Sequence, residues 1–106
     1  MTDLDKIKLC AEAMGYTTIV QADYNPNFAS FPVTWVSNNQ ERKNEVLYDP
    51  FHDDAQAMAL VKKLKLHIYW DREYEGWIVG PVGLAIAAND LNCAIVECVA
   101  KMRAAR

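Results

Sequence analysis

Long apolar stretches, basic clusters and paired cysteines are all scarce in this sequence, and each shortage closes off a class of protein. The longest apolar run, residues 82–88, is far below the ~20 residues needed to cross a bilayer, so no membrane partner is expected. Lysine and arginine number 11 against 14 acids, for a net charge of −3. Nothing forms the basic stripe by which duplex nucleic acid is held, which argues against a nucleic-acid partner. Lys62, Lys63 and Lys65 come nearest, and at a helix end they complement the macrodipole. The three cysteines, Cys10, Cys93 and Cys98, are too few and too oddly spaced for a disulfide framework. Their odd number, and an opening MTDLDKIK with acids and no apolar stretch, fit a cytoplasmic protein without a secretion signal.

What is present suffices for one core. A chain of 106 residues is the usual size of one domain, expected here over 1–106. Such a chain buries about two-thirds of the surface its unfolded form exposes. With 52% apolar and 24% charged residues, the composition is that of an ordered globule.

Helical spacing comes first, over residues 3–14, where Leu4, Ile7, Ala11 and Met14 share a face. Thr2 with Asp5 makes a capping-box pattern, and Gly15 is a natural left-handed stop. Residues 17–20 and 33–36 read as strands, and 45–48 as a third that pairs with the second in a hairpin. Asp49-Pro50 ends that strand, since proline cannot donate to a ladder. A second helix over 54–65 carries Ala57, Leu60, Val61 and Leu64 on one face, with Asp53 and Gln56 at capping-box spacing.

Strands over 66–70 and 76–79 follow, joined by a charged turn. Leu66, Ile68 and Trp70 face one way, and His67 faces solvent. Residues 84–87 are either a short strand or an apolar connector. Asn89 or Asp90 caps the closing helix, where Leu91, Ala94, Ile95, Cys98, Val99 and Met102 recur on one face. Cys93, Val96 and Ala100 widen that face, which makes this helix central to the core. The order α-β-β-β-α-β-β-α predicts an α+β fold: a small antiparallel sheet of hairpins packed with three helices. Helices sharing one face would give two layers, and helices on both faces a layered α-β-α sandwich.

Chemistry is harder to find. His52-Asp53-Asp54 is the tightest polar cluster, but a zinc site needs three or four ligands, and helix capping accounts for both acids. Cys93 and Cys98 lie about 140° apart on a helix and share no face. A nucleophile needs a base and the base an orienting group, and two histidines with no neighbouring cysteine do not supply them. Glycines at 15, 76, 80 and 83 match neither a phosphate loop nor a dinucleotide fingerprint. No catalytic residue, cofactor or metal is therefore expected. Asp23, Asp49, Asp71, Glu73 and Glu75 keep open a carboxylate pair formed in space. Aromatics stand out instead: Tyr24, Phe28, Phe31 and Trp35 in or beside a proline-containing loop, and Tyr69 and Tyr74 on the second hairpin. They either complete the core or present a protein-binding surface.

Tyr48-Asp49-Pro50 leads into Asp53 through Met58, a tryptophan-centred hairpin follows at Trp70 and Trp77, and Asp90 through Ile95 opens the last helix. This layout resembles the phage ABA sandwich domain family, small phage and prophage proteins of unknown function, and more loosely the NinX-like phage proteins. The resemblance runs from the first helix with Gly15-Tyr16 to the last and is weakest over residues 26–44. It implies a layered α-β-α fold and a bacteriophage setting, and no reaction. The expected function is a phage or prophage accessory protein, not an enzyme, acting through a protein partner, itself or a host factor. One version inhibits a bacterial defence factor by presenting carboxylates to a nucleic-acid-binding surface. The rivals are a small carboxylate-dependent enzyme and a weak single-stranded nucleic-acid binder using the aromatics.

Overall fold

Capping selects where the helices begin and end. In the computed structural model, which describes residues 2–22, 33–37, 46–81 and 85–104, helix α1 spans Asp3–Met14. Thr2 Oγ1 accepts from the Asp5 amide while the Asp5 carboxylate accepts from the Thr2 amide, closing the reciprocal box. At the far end Gly15 sits at φ 86°, and its N–H reaches the Ala11 and Glu12 carbonyls. A β-carbon there would meet nothing within 4 Å. Gly15→Ala is therefore expected to cost about 1 kcal/mol through backbone strain alone, read as a lower urea midpoint at unchanged slope.

Helix α2 (Asp54–Leu64) starts at Asp53, whose carboxylate accepts from the Gln56 amide. Gln56 does not return the bond. Its Oε1 accepts from the Asp49 amide at 2.6 Å and its Nε2 donates to the Leu47 carbonyl at 2.8 Å, so the side chain clamps the strand exit. The helix stops before Lys65, which takes the left-handed cap at φ 54°. Helix α3 (Leu91–Ala104) is capped by Asp90, whose carboxylate accepts from the Cys93 amide at 2.9 Å.

The strands form two antiparallel sheets. In the first, β1 (Thr18–Ala22), β2 (Val33–Ser37) and β3 (Val46–Leu47) lie in chain order. In the second, β4 (His67–Asp71), β5 (Gly76–Gly80) and β6 (Ile86–Ala88) do the same. The ambiguous segment before the last helix thus supplies a strand, pairing Ile86 with Val79 and Ala88 with Trp77. The expected β2–β3 hairpin pairing is present, with Trp35 opposite Leu47 and Val36 opposite Val46.

The α+β class holds, and the layers are arranged differently from a sheet between helices. Sheet one packs on α1, sheet two on α3, and α1 packs on α3, so the order is sheet, helices, sheet. Helix α3 explains this. Ala94, Ile95, Val96, Cys98 and Val99 are fully buried and Ala100 nearly so. A helix that is apolar over most of its circumference has to lie inside. Around it gather Ile7, Cys10, Val36, Leu60 and Val79. Ion pairs from Lys6 to Glu97 and from Arg103 to Glu12 join α1 to α3. The molecule measures 46 × 27 × 23 Å, and no helix among the described residues is long and apolar enough to cross a membrane.

Candidate functional site

Strand alternation sorts the aromatics of sheet two. The register sets Ile68 opposite Val79 and Trp70 opposite Trp77 on one face, and Tyr69 opposite Ile78 on the other. The first face meets α3: Val79 is fully buried, and Ile68, Ile86 and Ala88 pack against the core. The opposite face holds Tyr69, 53% exposed, with His67 and Ala87 exposed and Ile78 half-buried.

Towards the β4–β5 turn the cover of the core gives out even on the helix side. Trp70 points the same way as Ile68 but is 49% exposed, packed edge-to-face on Trp77 with ring centroids 5.5 Å apart. Of the expected inward face, Leu66 is therefore buried and Ile68 half-buried against the core, while Trp70 overhangs. Such edge-to-face pairs are favoured by ring quadrupoles, and this one leaves the Trp70 face available.

The turn itself fixes Tyr74. Asp71 Oδ1 accepts from the amides of Glu73 and Tyr74, each at 2.9 Å, and Glu75 takes a left-handed φ of 57°. This brings the Tyr74 ring over Gly76, where a β-carbon would stand 2.8 Å from Cδ1 and Cε1. Glycine is needed for that approach. Tyr74 remains 57% exposed, so an aromatic ring is held in place without being covered. Glu73 and Glu75, both exposed, stand beside it. Tyr69 and Trp70, on opposite faces of β4, and Tyr74, in the turn that follows, thus all stand exposed at one hairpin, and β4 is an edge strand among the described residues.

The other aromatics named from the sequence are not part of this cluster. Trp35 lies on β2 of the first sheet, half-buried, on the face opposite Thr34 and Val36. Tyr24, Phe28 and Phe31 lie outside the described residues, as does Asp23. Of the acids weighed for catalysis, Asp71 is committed to its turn and sits with Glu73 and Glu75, while Asp49 belongs to the turn before α2. Among the described residues no three His, Cys, Asp or Glu side chains converge to hold a metal ion.

The cysteines are packed and protonated. Cys10 and Cys98 are fully buried, and burial pushes the Cys10 thiol up to about 12. Burial raises Cys98 as well, and raises Cys93 with help from Glu97. A reactive thiol needs the opposite shift.

One pairing escaped the sequence reading. His52 Nδ1 lies 2.7 Å from Asp49 Oδ2 across the Asp49–Pro50 turn, while Asp53 caps α2 and Asp54 accepts from Asn92 at 2.8 Å. The i, i+3 spacing around a proline was the available signal. Both residues line a cleft of about 480 Å³ between the first turn of α1, β2, β3 and this turn, walled by Leu4, Ile7, Leu47 and Phe51. Beside the pair, Tyr48 is buried with its ring edge-on to Tyr16 at 5.6 Å. No family model matches the sequence, and no curated protein and no solved structure matches the chain.

Proposed function

We propose that this chain acts by binding a protein rather than by catalysing a reaction, and that the β4–β5 hairpin is the contact. The observation that carries the reading is the exposure of three aromatics at one hairpin, Tyr69 and Trp70 on the two faces of β4 and Tyr74 in the turn, 49–57% exposed, with the turn locked by Asp71. Aromatic rings held rigidly at a surface make binding hot spots because little freedom is lost on contact. Glu73 and Glu75 beside them, and the net charge of −3, select a partner with a basic rim. A nucleic-acid-binding protein surface has that chemistry. With the resemblance to the phage ABA sandwich proteins, this supports a phage or prophage accessory protein that occludes a host or defence factor. The same acids disfavour direct binding of single-stranded nucleic acid, which needs a basic groove under its aromatics.

The test is comparative capture from bacterial lysate with the wild-type chain and a Tyr69→Ala/Tyr74→Ala variant. Each tyrosine is expected to contribute about 2 kcal/mol, or roughly 30-fold in affinity. A partner that the variant fails to retain, and that single-stranded DNA displaces from the wild type, supports the reading. Equal capture by both chains, or no specific partner with a monomer on sizing, overturns it.

A further inference from the structure

Edge strands are commonly kept from pairing with other chains by a lysine, a proline or a bulge in mid-strand. The middle of β4, Ile68-Tyr69-Trp70, has none of these, and β4 is an edge strand among the described residues. Tyr69 and Trp70 stand open to solvent there, with His67 exposed beside them.

The charges lie at the two ends of the strand instead, and their signs are opposite. His67, Lys65 and Lys63 precede Tyr69 by two, four and six residues, and Asp71, Glu73 and Glu75 follow it at the same intervals. All of them except Asp71 are exposed. The left-handed Lys65 cap of α2 fixes one group, and the turn held by Asp71 fixes the other. A second copy laid parallel along β4 would set like charge against like, whereas an antiparallel one sets each end against its opposite. We infer that the chain forms a symmetric dimer by antiparallel pairing of β4 with β4 of a second copy, the two-fold axis passing at Tyr69. Sheet two then continues from one copy into the other, and the contact is self-complementary. Tyr69 meets Tyr69, Trp70 lies opposite Ile68 on the helix side and His67 opposite Asp71, while Lys65 and Lys63 approach Glu73 and Glu75. This rests on the reading of the hairpin as a protein contact and names its occupant, whose basic rim is Lys63 and Lys65. A five-residue strand makes a small interface, so the expected affinity is micromolar rather than nanomolar.

Sedimentation equilibrium of the purified chain tests the dimer, with two charge-reversed variants, Lys63→Glu/Lys65→Glu and Glu73→Lys/Glu75→Lys. The wild type is expected to dimerise, and each variant alone to do so at least about tenfold more weakly, because like charges then meet at both ends. An equimolar mixture of the variants is expected to recover wild-type association, since one copy is then acidic and the other basic at both ends. By ¹⁵N NMR the amides of β4 are expected to exchange fast in dilute solution and to slow as concentration rises, those of β3 staying unchanged. A wild type monomeric up to its solubility limit, variants that dimerise as it does, a mixture that fails to recover, or slowing centred outside β4 overturns the dimer. All these measurements use the purified chain, so they stand apart from capture out of lysate. A monomeric wild type that still retains a host protein through Tyr69 and Tyr74 keeps the hairpin as a contact and removes the second copy as its occupant.

Discussion

Replacing Ile95 with alanine is expected to remove about 3–4 kcal/mol of stability. Ile95 is fully buried on α3, the helix that packs on α1, α2 and both β5 and β6. Its removal strips methyl and methylene groups from water-free surroundings and leaves a cavity that four neighbouring elements cannot close together. For a small domain with a total of about 5–15 kcal/mol that is a large share, corresponding to a fall in melting temperature of about 15–25 °C. Urea denaturation checks it, with Leu47→Ala as the control. Leu47 is 40% exposed on a two-residue edge strand, so its truncation is expected to cost about 0.5 kcal/mol or less. Equal losses in the two variants would mean that α3 is not the centre of the core.

Alkaline pH is expected to unfold the protein with a steep, thiol-dependent slope. The Cys10 thiol moves from an ordinary 9.0 to about 12 because burial penalises the thiolate. The folded chain therefore keeps a proton that the unfolded chain releases, so the contribution is whole below about pH 9 and is lost as pH rises towards 12. The slope is about 1.4 kcal/mol per pH unit for this group alone. Burial shifts Cys98 and Tyr48 in the same direction. Lys6, raised by its pairing with Glu97, adds to the loss at still higher pH, since its stabilisation is full below its ordinary 10.5 and fades above. Urea midpoints from about pH 8 to about pH 11 measure the sum. Cys10→Ala is expected to start from a lower stability at neutral pH and to show a shallower alkaline slope. A flat wild-type profile, or parallel slopes in the two chains, contradicts the assignment.

Local chemistry was the most legible part of this chain. Thr2 with Asp5, Gly15, Asp53 and Asp90 all act at helix ends, because a cap is decided by residues within one turn of each other. The breadth of the apolar surface on α3 was legible too, since Cys93, Val96 and Ala100 extend the Leu91–Ile95–Val99 stripe. What could not be read was the division of the strands into two sheets. Periodicity gives a strand two faces but does not say which helix will cover one of them. Trp70 shows the same gap: its alternation with Ile68 is real, but alternation does not say how far the cover of that face extends, and Trp70 is 49% exposed. Of the exposed aromatics on this hairpin, Tyr69 and Tyr74 were named for being aromatic on a hairpin, whereas Trp70 was assigned inward. The Asp49–His52 pair was missed because three acids compete for one imidazole in sequence, and only the turn at Pro50 decides among them.

Placing helices between sheets also sets how the molecule breathes. In a fold with a central sheet, the most persistent backbone amides are those of the inner strands. Here both sheets lie outermost, with strands of two to five residues in the first and three to five in the second and two edges each among the described residues, while α3 is enclosed. Deuterium should therefore enter β3 and β4 within the fastest class of amides and reach Ile95 through Ala100 last, by whole-molecule opening alone. Either hairpin is expected to fray and re-form without disturbing the other, because among the described residues each sheet packs on the helices between them.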